Sequence, residues 1–141
     1  MKTANLILLL IGFPLLGCSR EPIKSDRCYV LSFQAMKEVT EARAALVAFA
    51  ENNQLLADFA FGDTINVYAE SGKARQFRIK LGLRPEQKAE LTFFLYEKNP
   101  KERARYEKKF DDFYLSAIAG KFNSRACADV PEFDPSVEYR N

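Results

Sequence analysis

The side chains that could do chemistry in this 141-residue chain are few: three cysteines, Cys18, Cys28 and Cys127, scattered serines, lysines and carboxylates, and no histidine at all. Lack of histidine removes both the commonest general base near neutral pH and the commonest metal ligand. Ser-His, Cys-His and zinc-hydrolase schemes therefore fail. A lysine-activated serine or a carboxylate pair would still function without histidine. The candidates for such schemes, Glu70 beside Ser71 and the adjacent Asp111 and Asp112, have the spacing of a solvated surface, and neighbouring carboxylates on a helix point in different directions. The six glycines form neither G-x-G-x-x-G nor G-x-x-x-x-G-K, so no phosphate-cradling loop is present. The expectation is a protein that is not an enzyme and that carries no cofactor and no metal; carboxylate or lysine chemistry is the remaining enzymatic alternative.

Cys18 closes an apolar run, "LILLLIGFPLL", that follows Lys2. As a helix rising about 1.5 Å per residue, the run reaches only about half of a hydrocarbon core roughly 30 Å thick. A cationic start, a short apolar stretch and a small residue before a cut is instead the layout of a secretory signal. Leu15-Leu16-Gly17-Cys18 resembles the lipobox of bacterial lipoproteins, with Leu16 a slightly bulky occupant of the variable place. The resemblance covers only the first twenty or so residues and implies that Cys18 becomes the acylated first residue of the mature chain. Ser19 beside it resembles members directed to the outer membrane. Two or three acyl chains would hold the domain far more firmly than one, since each buried methylene contributes about 0.8 kcal/mol.

The implied organisation is a signal peptide over 1–17, a polar tether over 18–27, one globular domain over 28–130 and an acidic tail over 131–141. About a hundred residues suffice for one core and no second domain. Cys28 and Cys127 bracket that domain. Export places them where disulfides persist, so they are expected to pair.

Alternation marks a strand at 28–33, and good helix formers with apolar residues three and four apart mark a helix over 34–52. The segment 55–61 fits either a brief strand or further helix. A β-hairpin follows, with strands near 64–69 and 77–81 joined by a turn at 70–73, then a turn at Gly82 to Pro85 and a strand at 89–97. Asn99 caps a second helix that starts with Pro100, carries Glu102 three residues after the cap and ends near Gly120. These elements predict an α+β fold: a small two-layer domain with a mostly antiparallel sheet of three to four strands, two helices packed on one face, and a disulfide staple.

Charge is balanced in total, 21 basic against 19 acidic, but uneven along the chain. Between Lys73 and Lys88 the cations face Glu86 alone. Arg78 and Lys80 alternate with the apolar residues of their strand and Arg84 follows its end. With Phe94 and Tyr96 on the equivalent side of the next strand, they make a candidate binding set on the outer sheet face, suited to an acidic surface. Export argues against nucleic acid. The expected partner is a protein of the envelope or periplasm, with membrane attachment through Cys18 on the periplasmic face of the outer membrane. The expected role is a protein-binding module, such as an inhibitor or immunity protein against a hydrolase or toxin, with the loops at 70–73 and 82–85 as insertion tips. The alternative is a structural or assembly lipoprotein at an outer-membrane or cell-wall complex.

Replacing Cys18 with Ser is expected to move the protein from the membrane pellet to the soluble fraction while leaving its circular dichroism spectrum unchanged; retention in the pellet would remove the anchor.

Overall fold

The computed structural model describes residues 23–72 and 74–133. The expected signal peptide, Cys18, Lys73 and most of the expected acidic tail lie outside the described residues. The strands are β1 (Ile23–Lys24), β2 (Arg27–Ser32), β3 (Leu56–Phe61), β4 (Thr64–Ser71), β5 (Ala74–Arg84), β6 (Lys88–Leu95), β7 (Asn123–Ala126) and β8 (Glu132–Phe133). The helices are α1 (Met36–Asn52) and α2 (Pro100–Phe113), the latter continued by a π-helical segment, Tyr114–Ala119.

The main sheet has six strands in the order β3-β4-β5-β6-β2-β7, all paired antiparallel, and β1 pairs with β8 in a separate ribbon. This corrects the expected three to four strands. Two segments account for the difference. Residues 56–61 adopt the strand alternative, and the stretch before Cys127 forms an edge strand on β2. The α+β class, the two helices and the Cys28–Cys127 bond are as expected, with the bonded residues' Cα atoms 5.4 Å apart.

Cross-strand register sorts the side chains. On the inner face, Val67, Ile79 and Phe93 form one row and Ile65, Leu81 and Leu91 the next, all at most 1–2% exposed. Val39, Ala42, Leu46 and Ala50 of α1 and Tyr106, Phe110 and Phe113 of α2 close over these rows in one core cluster. Phe110 stacks on Phe93 with ring centroids 4.7 Å apart, and Tyr106 packs on Phe77.

Local chemistry fixes the ends of both helices. Helix α1 stops in a Schellman motif: Leu55 N–H donates to the Ala50 carbonyl and Gln54 N–H to that of Glu51, while Gln54 takes the required left-handed conformation, φ 56°. At the start of α2 the Asn99 side chain accepts from the N–H groups of Lys101 and Glu102. The reciprocal acceptor is Glu97, which takes the N–H of Asn99, whereas the Glu102 side chain binds Arg105. Gly82 lies within β5 opposite Glu90, so the loop expected at 82–85 is confined to the three residues after Arg84. Glu86 and Gln87 there both have positive φ.

Residues 23–27, expected in the tether, hydrogen-bond into the domain. Besides the β1·β8 pairing, Asp26 N–H donates to the Phe93 carbonyl, and the Asp26 carboxylate accepts from Leu95 N–H and from Arg103, each at 3.1 Å. Arg27 reaches Asp111 on α2. Asp26 thus ties the entry of β2 to the end of β6 and to α2. Asp26→Ala leaves the Leu95 N–H and the Arg103 guanidinium short of an acceptor and is expected to lower unfolding free energy in urea by about 1–3 kcal/mol, with Asp26→Asn costing less. No loss on the alanine change would show that the tie contributes nothing.

Candidate functional site

The outer sheet face is built by the same register as the core. Tyr68, Arg78 and Phe94 stand opposite one another on β4, β5 and β6. The Arg78 guanidinium lies over the Phe94 ring, 4.8 Å from its centroid, and Arg75 lies over Tyr68 at 4.1 Å. A planar, weakly hydrated cation packs well against aromatic faces. Arg78 is only 6% exposed and Phe94 only 3%. Both side chains are thus largely buried on this face of the sheet. Tyr96, just beyond β6, is half-buried.

Asn66, Lys80 and Thr92 form the neighbouring row. Thr92 is fully buried and Lys80 half-buried. The buried Asn66 Oδ1 has no hydrogen-bond partner among the described residues. Burial is the main cause that holds the Lys80 ammonium below its ordinary range; Arg78 and Arg84 lower it further and Glu90 partly compensates.

Arg84 is exposed but ion-paired with Glu90. Arg75 pairs with Glu70 at 3.5 Å and Lys88 with Glu86 at 3.6 Å. The basic run of the sequence is therefore substantially neutralised by carboxylates, two of them brought alongside by strand pairing. Of the five expected binding residues, the structure joins Arg78 to Phe94, sets Lys80 in the adjoining row, and places Arg84 and Tyr96 towards opposite ends of the β5–β6 pair.

A different concavity lies between the helices, with a volume of about 650 Å³. Its apolar lining comes from Ala45, Ala48 and Phe49 of α1 and from Phe113 and Ala117 across from them. Phe49 and Phe113 meet with ring centroids 4.6 Å apart. Arg105, Lys108, Lys109 and Lys121 also line it, with Asp112 the one acidic residue among the described lining residues. Lys108 bonds Asp112 at 2.5 Å, and Arg105 is held by Glu102. Lys109 and Lys121 have no carboxylate partner among the described residues.

The π-helical segment supplies Ser116 and Ala117 to this groove. Such segments are rare and recur at functional sites. Behind the groove the segment is held by Tyr114, which stacks on Tyr29 at 3.8 Å and shares a 2.7 Å hydrogen bond with Ser124. Reading the sequence for a charged run missed this site because its walls come from segments about 60 residues apart. Ala45, Ala48 and Phe49, spaced three and four apart beside the buried stripe of α1, are the signal that could have found one wall.

One group of three metal-type ligands converges among the described residues: Cys28, Glu90 and Cys127. Both sulfurs are consumed by the disulfide, so they are not available as thiolate ligands. No helix among the described residues is long and apolar enough to cross a membrane. No protein-family model matches the chain, and no curated protein matches it in sequence.

Because the folded pKa of Lys80 lies below its unfolded value of 10.5, the native state bears the cost of the buried charge at neutral pH and is relieved of it as pH rises toward 10.5. Lys80→Met is expected to raise the melting temperature at pH 7, by an amount that shrinks as pH approaches 10.5. An advantage that stays constant across this range would show that the gain is not electrostatic.

Proposed function

We propose that this chain is a non-catalytic binding module of the bacterial envelope, held to the membrane through an acylated Cys18 and acting on a protein partner. Its most concrete form is an inhibitor or immunity protein that restrains a hydrolase or toxin. The observation that carries this reading is the interhelical groove, an open concavity with an apolar lining and two lysines unpaired among the described residues. An interface centre excludes water best where apolar surface is surrounded by groups that set orientation and charge.

The disulfide supports the exported location, since such bonds persist in oxidising compartments. The sequence supports the absence of chemistry, because every histidine-dependent scheme is closed to it. The binding reading moves from the outer sheet face to the helical face for a physical reason. Arg78 and Phe94 are nearly closed to solvent and Arg84 is paired with Glu90, whereas Lys109 is half-buried and Lys121 exposed, neither with a carboxylate partner among the described residues.

The test is quantitative capture from envelope and secreted extracts, comparing the native protein with Lys109→Glu/Lys121→Glu. Stoichiometric retention of one partner by the native chain and its loss from the variant is expected. When that partner is a hydrolase or toxin, its activity should fall on adding native protein and recover with the variant. Equal retention by both would exclude the groove, and retention of no protein by either would overturn the binding-module reading.

A further inference from the structure

We infer that the groove between α1 and the α2–π helix receives an acidic amphipathic helix of the partner protein. This inference rests on the binding-module reading and specifies what the groove recognises. Three independent features point to that chemistry.

The first is shape. The concavity is an open trough between two helices, and a third helix can lay one ridge of side chains into such a trough. The small side chains Ala45, Ala48 and Ala117 let a helix backbone approach closely, while the half-buried Phe49, packed on the buried Phe113, offers apolar surface to its leucine- or methionine-sized residues. An occupant so placed presents apolar positions at i, i+3, i+4 and i+7.

The second is charge. Arg105, Lys108 and Lys109 lie along α2 and Lys121 just beyond the π segment, with Asp112 as the sole carboxylate among the described lining residues. Arg105 and Lys108 already have carboxylate partners, but Lys109 and Lys121 have none among the described residues. Glutamates or aspartates flanking the apolar stripe of an incoming helix would meet these two lysines. A basic or neutral helix would leave them uncompensated as water is expelled.

The third is the backbone. The π-helical segment falls where α2 passes the groove and brings both Ser116 and Ala117 to its lining. The Ser116 hydroxyl donates to the Phe113 carbonyl at 3.4 Å. An uninterrupted α-helix would rotate these residues relative to Lys109 and Phe113.

The experiment measures fluorescence anisotropy of the purified full chain with a labelled helical peptide of about 18 residues carrying Leu and Ala on one face and Glu on the other. Saturable binding is expected, weakened about tenfold or more by Lys109→Glu/Lys121→Glu and restored when the peptide's glutamates are replaced by lysines, a charge swap that a merely unfolded variant could not rescue. Ala48→Trp fills the trough from an exposed position and is expected to abolish binding with the circular dichroism spectrum unchanged. The inference is overturned if the peptide does not bind, if binding is indifferent to all three substitutions, or if anionic vesicles sediment the chain through Lys109 and Lys121 while the peptide does not compete. Failure here alongside lysine-dependent capture of a stoichiometric partner would sink only the helix. Failure here together with retention of no protein in the capture experiment would sink the binding-module reading as well.

Discussion

The first long strand of the domain does not lie at an edge. Strand β2 is wedged between β6 and β7, so its two ladders join residues 27–32 to residues 88–93 and 123–126. Neither ladder can form until most of the chain has been gathered, and the loop entropy lost in doing so must be recovered by contacts distant in sequence. The Cys28–Cys127 bond closes 99 residues of separation at this junction. Loop-closure entropy gives a cross-link of that span about 4.7 kcal/mol of stabilisation. Asp26, Arg27 and the β1·β8 ribbon add polar ties beside it. The sheet order depends on this closure.

With β2 in place, α1 and α2 together cover the apolar face of a six-stranded sheet. The helices settle on the sheet through Val39, Leu46, Tyr106 and Phe110. Phe49 of α1 meets Phe113 of α2, and the trough beside this contact is open to solvent. The candidate site is therefore a consequence of how two helices cover a wide sheet. The π segment that continues α2 keeps Ile118 in the core while turning Ser116 and Ala117 toward the trough.

Strand pairing also decides which cations face an acid. Counting along the chain assigns Glu86 alone to the basic run, yet Glu70 is set against Arg75 and Glu90 against Arg84. Alternation correctly puts Arg78 and Lys80 opposite Phe77 and Ile79, but it cannot show that Arg78 stands between Tyr68 and Phe94 or that the resulting row is nearly closed to solvent. A guanidinium over an aromatic ring is a packed group as much as a charged one.

By itself the sequence pointed to the α+β class, the Asn99 cap, the central hairpin and the Cys28–Cys127 pair, because each follows from near-neighbour chemistry or from cysteines placed at the two ends of the domain. The lack of histidine and the lipobox-like segment are likewise properties of the sequence alone. Tertiary structure decided the rest. Residues 56–61 became a strand because β4 offered a free edge, and 123–126 became another because β2 did. Asp26 became a structural tie because β6 and α2 converge on it. The groove arose from Phe49 and Phe113, 64 positions apart in sequence, meeting in space. Periodicity reports which face of an element is apolar, but only packing tells which neighbour that face will meet and what gap remains between them.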